Sequence, residues 1–216
     1  MNHAIASRPT KTALLLLLVA TTILAFVSPA AARGARDQER AIKLLAQLEM
    51  SSNPEAAYLA LGPSDRELIR WALTPAGGVT MTTVTRVPSS AVADGSRTPS
   101  ASVAACWQFQ RQFIKKSTIG VHLFGYEMIT NWCGNGATIT SKQTPVRKVY
   151  VYQLFWEFDR HEMLTQTGGV GSTFWRAYAQ GHFKFCPPLL GCSSHAYPWL
   201  NFTHYPDGGV FGTMGG

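Results

Sequence analysis

Trp175-Arg176-Ala177-Tyr178-Ala179-Gln180-Gly181-His182-Phe183-Lys184-Phe185 alternates with a period of two. Trp175, Ala177, Ala179, Phe183 and Phe185 share one parity, while Arg176, Gln180, His182 and Lys184 share the other. Such alternation reads as a β-strand with one buried and one wet face, because successive side chains point to opposite sides. Upstream, Trp107, Phe109 and Phe113 alternate with Gln108, Gln110 and Gln112 in the same manner. Runs 119–132, 148–159 and 196–205 are long enough for full strands, and Gly or Pro bounds them. No helical period separates these runs. The expected fold is mainly β: an antiparallel β-sandwich or barrel over residues 104–216, preceded by a short N-terminal helical segment.

Residues 33–76 carry the helices. Ala41, Leu44, Leu45 and Leu48 fall at helical spacing, as do Leu68, Ile69, Ala72 and Leu73 before Pro75. Ser52-Asn53-Pro54-Glu55 and Ser64-Asp65-Arg66-Glu67 read as capping boxes with serine at each cap. Residues 77–103 turn to Gly, Ser, Thr, Ala and Pro, the composition of a linker, within which 81–87 suits an edge strand.

The first 32 residues have the grammar of a secretory signal peptide: basic Arg8 and Lys11, the apolar run 12–27, then Ser28-Pro29-Ala30-Ala31-Ala32. The apolar run is shorter than the roughly 20 residues of a spanning helix, so cleavage after Ala32 and no stable membrane anchor are expected. Of the chain's 19 basic residues two lie in this leader, so the mature chain has 17 basic and 12 acidic groups, a net charge of +5. That excess is too dilute for nucleic acid. An exported domain with four cysteines is expected to hold two disulfides. Three pairings are possible; Cys186–Cys192 staples a stiff Pro-Pro loop and Cys106–Cys133 closes a hairpin around 117–120, and this pairing is favoured. Tight C-x2-C spacing is absent, and neither a metal nor another cofactor is expected.

Catalytic motifs are thin. There is no G-x-S-x-G elbow and no phosphate-binding loop. His161-Glu162 begins like a zincin helix, but Thr165 stands where the second histidine must be. Gly168 to Ser172 reads as a turn between strands. Glu157 and Asp159, at i and i+2, project from one strand face, and with His161 they make a candidate carboxylate site for a hydrolase. Arg160 beside them favours a salt-bridged strand end instead. His122, His182, His195 and His204 read as partly exposed strand or loop residues.

The aromatic surplus carries the strongest functional signal. Residues 104–216 hold 21 of 24 aromatic side chains, and run 148–159 is apolar on both faces: Tyr150, Tyr152, Trp156 and Phe158 on one, Val149, Val151 and Phe155 on the other. Either helices cover the second face or it is a platform for sugar rings, whose C–H faces stack on aromatic π clouds. Most of these rings suit the core. Tyr178, Trp199 and Tyr205, among polar neighbours, are the expected exposed ligand-binding residues.

Gly168 to Cys186, with Gly191-Cys192 and Tyr197-Pro198-Trp199-Leu200, resembles an uncharacterised family of small secreted bacterial four-cysteine β proteins. The resemblance covers about residues 104–210. It implies an exported disulfide-bearing β domain and no activity or functional residue. The expected function is a secreted, non-catalytic binding or structural module for an extracellular glycan or cell-envelope polymer. The alternatives are a glycosidase-like hydrolase using Glu157 and Asp159, or a secreted toxin with residues 33–76 as a pro-segment.

Overall fold

Residues 34–87 and 105–216 are described in the computed structural model. The expected leader and residues 88–103 of the expected linker lie outside them. Contacts divide the chain after Arg40, and Ala41–Gly216 forms one unit.

Among the described residues three helices come first. In α1 (Ala35–Met50) the apolar stripe behaves as its spacing requires, with Ala41, Leu45 and Leu48 buried. In α2 (Pro54–Ala60) the cap is Asn53, not the expected Ser52: its Oδ1 accepts from Ala56 N at 3.0 Å, while Pro54 occupies the first helical position. The third, α3 (Pro63–Ala72), starts one residue before the expected Ser64 cap. Pro63 is pre-organised for the first turn, and Gly62 caps it without a side-chain bond. From Ala41 onward the buried helical residues join the same apolar cluster as the strands. Trp156 Nε1 donates to the Leu73 carbonyl at 3.3 Å, and the Tyr58 ring meets Phe155 edge-on at 5.0 Å.

Ten strands follow, in two antiparallel sheets. The first holds β1 (Pro75–Val87), β2 (Ala105–Ser117), β3 (His122–Gly134) and β4 (Ile139–Lys142) in that order, with β5 (Val146–Val151) also on β3. The second runs β10 (Val210–Gly215), β9 (Trp199–His204), β7 (Trp175–Phe185), β6 (Trp156–Gly168), with β8 (Ser194–Ala196) on β7. Neither sheet closes on itself among the described residues, so the alternative of sandwich or barrel resolves to a sandwich. Rings from both inner faces fill the space between: Phe124 stacks on Phe183 at 4.3 Å, and Phe109 meets Phe202 edge-on at 4.9 Å.

Three strand boundaries differ from expectation. The run 148–159 is two strands in different sheets, because the chain leaves the first sheet after Val151 and enters the second at Trp156, with Phe155 at φ 65° in the crossing. The apparent double apolar face was a crossover, not one strand. Run 196–205 breaks at Tyr197-Pro198, where proline has no N–H for the ladder. Strand β1 takes 75–87, more than the expected 81–87, pairing Val87 with Cys106 and Pro75 with Ser117 as an exposed edge strand. Both disulfides form as expected, Cys106–Cys133 across directly opposed residues of β2 and β3, and Cys186–Cys192 around the Pro-Pro loop. They fit an oxidising environment, and no described helix is long and apolar enough to cross a membrane.

Candidate functional site: the outer face of the second sheet

Strand β7 decides the geometry of this face. Trp175, Ala177, Ala179, Phe183 and Phe185 point into the core, so Arg176, Tyr178, Gln180, His182 and Lys184 line the outside. On β9 the same rule buries Leu200 and Phe202 and leaves Trp199, Asn201 and Thr203 outward. Tyr178 lies opposite Asn201, and Gln180 opposite Trp199. The Tyr178 and Trp199 rings are therefore diagonal neighbours: they stack 6.4 Å apart at 18°, both partly exposed. At the far end of β9, Tyr205 meets Phe211 edge-on at 5.9 Å, and Phe211 is 72% exposed. Tyr205 lies six residue steps along the chain from Trp199, a span of about 20 Å. Asn201, Thr203, Arg176 and Thr213 lie between the two aromatic pairs, and Arg176 Nε donates to Thr203 Oγ1 at 3.1 Å. All three expected binding residues thus belong to one strip. Phe211, not singled out from the sequence, completes it; its signal was an isolated ring in a Gly-rich terminal run.

The other end of β7 holds a charged network. Lys184 Nζ lies 3.3 Å from Glu157 and 3.1 Å from Asp159, and Arg160 bridges Asp159 at 2.5 Å and Glu162 at 2.7 Å. The β6–β7 register slips twice, at 158/160 and 161/163, leaving Asp159 and Glu162 as the extra residues of two β-bulges. Those bulges aim both carboxylates at His182, whose Nδ1 is 3.1 Å from Asp159 and 3.6 Å from Glu162. His182 Nε2 in turn meets His195 Nδ1 at 2.8 Å, and Tyr197 stacks flat on His182 at 4.5 Å and 6°.

This network engages the acids of the expected carboxylate site in ion pairs. Glu157 and Asp159 do share a face, yet each is paired with Lys184 rather than poised for proton transfer. Hydrogen bonding to Lys184, with its charge and His182 behind it, holds Asp159 below the usual carboxylate range. A glycosidase acid needs the opposite shift. His161 does not join them: it lies opposite Gly181 on the inner side of β6, where its Nδ1 meets Tyr126 Oη at 3.1 Å. Partial desolvation and Arg147 lower its affinity for a proton. A hollow beside Glu157 also reaches Glu55, Phe155, Trp156 and Cys186, but Glu157 is more than half exposed there and keeps its water. Glu157 also lies within 4.8 Å of the Cys186 and Cys192 sulfurs, which the disulfide withholds from any metal.

Two histidines depart from the expectation of partial exposure. His182 is 5% exposed under Tyr197, and His204 is wholly buried in the core. Asp207 Oδ1 accepts from Gly209 N in a turn at 2.9 Å. No family model, curated protein or solved structure matches this chain.

Proposed function

We propose that this protein is an exported, non-catalytic module that binds a glycan along the outer face of its second sheet. The observation that carries this reading is the Tyr178–Trp199 pair, two near-parallel, partly exposed rings flanked by Gln180 and Asn201. Rings present apolar C–H-stacking surface, and amides alongside them exchange hydrogen bonds with hydroxyls, which is the pairing a saccharide requires. The Tyr205–Phe211 pair, about 20 Å along the strip, supports an extended polymer rather than a single sugar. Export is supported by the leader grammar of residues 1–32 together with the two disulfides. A hydrolase is disfavoured because its acids are locked in ion pairs.

A screen of the mature protein on an array of plant, fungal and bacterial glycans tests the reading. Retention on one glycan class, weakened in Trp199→Ala, is expected. A blank array with correctly folded protein overturns it.

A further inference from the structure

The outer face of the first sheet has its own ordered chemistry. On β2, Gln108, Gln110 and Gln112 occupy alternate outward positions, opposite Asn131, Ile129 and Glu127 of β3. Gln108 Nε2 donates to Asn131 Oδ1 at 3.0 Å, and Asn131 Nδ2 donates to Gln143 Oε1 at 3.0 Å. Three amides are thereby fixed in a row across the sheet. An amide has two donors and two acceptor lone pairs, so Gln108 with one of these bonds and Asn131 with two keep capacity for a ligand.

Beside this row the Tyr150 and Tyr152 rings lie 6.1 Å apart and within 5° of parallel. Both hydroxyls are held: Tyr150 Oη donates to Glu127 Oε2 at 3.0 Å, and Gln112 Nε2 donates to Tyr152 Oη at 3.0 Å. Gly125 makes the arrangement possible, since a Cβ there would sit 2.8 Å from Gln112 Nε2 and 3.3 Å from Tyr152 Oη. Glu127 is 1% exposed, yet its Oε1 has no hydrogen-bond donor; the half-exposed Lys148 approaches only to 3.8 Å. Leaving a buried carboxylate oxygen without a donor is costly, and a ligand hydroxyl entering past the half-exposed lysine stem would supply one.

We propose that this face is a second saccharide-binding surface, taking an uncharged polyhydroxylated chain over Tyr150 and Tyr152 and along the amide row. The charge pattern selects that occupant. One acid is answered by one lysine, so a polyanion finds no cluster of cations, and the amides match hydroxyls. The face shares its ligand class with the function proposed above but none of its residues, and it lies on the opposite side of the sandwich. The protein is then two-faced and bridges polymer chains.

The test mixes the full mature protein with insoluble cellulose, chitin, xylan and β-1,3-glucan and measures depletion from solution. Wild type is compared with Tyr152→Ala/Gln108→Ala on the first sheet and Tyr178→Ala/Trp199→Ala on the second. Each double variant is expected to weaken retention about tenfold without abolishing it, and only wild type should turn a soluble form of the retained polymer turbid. Full loss in the second-sheet variant with none in the first overturns this proposal and leaves the proposed function standing. Loss confined to the first-sheet variant supports this face and overturns the Tyr178–Trp199 strip. No retention of wild type, or capture of a protein partner at this face without polysaccharide, overturns it as well. Gln108→Ser with Tyr152→Phe replaces the alanine pair if thermal melting shows that pair unfolded.

Discussion

His204 Nε2 lies 2.8 Å from Thr130 Oγ1, joining the end of β9 in the second sheet to β3 in the first inside the core. Its Nδ1 is 3.1 Å from the Trp175 carbonyl, which can only accept, so Nδ1 carries the proton and Nε2 accepts from the threonine hydroxyl. Trp132 and Trp175 pack around the imidazole at 4.6 Å and 4.8 Å.

Burial pushes the His204 pKa down to about 4 from an ordinary 6.5. Above pH 6.5 the ring is neutral in both folded and unfolded chains, and its contribution is complete. As pH falls from 6.5 toward 4 only the unfolded chain takes up the proton, so stability declines over that window by roughly 3 kcal/mol. Urea unfolding measured from pH 4 to pH 8 should show this slope, and His204→Gln should flatten it. An unchanged slope in that variant assigns the effect elsewhere.

The two disulfides should contribute unequally. Cys106–Cys133 closes a separation of 27 residues and Cys186–Cys192 one of 6. On loop-closure entropy the first is worth about 3–4 kcal/mol and the second about 2 kcal/mol. Thermal melting of the two paired Cys→Ala variants should rank them in that order, while glycan retention survives loss of the smaller one.

Core and face rings should respond oppositely. Trp175→Ala, at 0% exposure, should cost about 3–5 kcal/mol. Trp199→Ala should cost under about 1 kcal/mol and weaken glycan retention without abolishing it. Gly134→Ala provides a backbone control: its Cβ would fall 2.2 Å from the Pro206 carbonyl oxygen, and a loss of roughly 1–3 kcal/mol is expected.

Replacing Glu157 and Asp159 by their amides should leave glycan retention intact. Asp159 is held below the usual carboxylate range, so its contribution is present above the ordinary carboxylate pKa and lost as pH falls through its own. Asp159→Asn should therefore remove part of the acid sensitivity at low pH, below the His204 window. Loss of a hydrolytic turnover in these amides, were one detected in wild type, would contradict the ion-pair reading.

Local alternation made most of the fold legible. Trp107, Phe109 and the β7 ladder point inward as their parity requires, and the two cysteine pairings followed from hairpin and loop geometry. What parity cannot show is where a chain changes sheets. The crossing at 152–155 needs no Gly or Pro, because Phe155 itself adopts a positive φ, so one run concealed two strands. Bulges are equally silent: Asp159 and Glu162 meet His182 only because the register slips beside each. Tyr178, Trp199 and Tyr205 were readable because each is a ring on the polar parity of its strand. The Glu127 cluster was not, since it joins β2, β3 and β5 across up to 40 residues of sequence.

The most direct test of the central claim is the salt dependence of glycan retention by wild type and Trp199→Ala, measured side by side at about 0.05 and 0.5 M sodium chloride. At the higher salt the Debye length is only a few ångströms, so charge-driven adsorption is suppressed while ring stacking persists. Wild-type retention is expected to be the same at both salts, and Trp199→Ala to be weakened at both. Wild-type retention that vanishes at high salt, or that Trp199→Ala keeps in full, contradicts the claim.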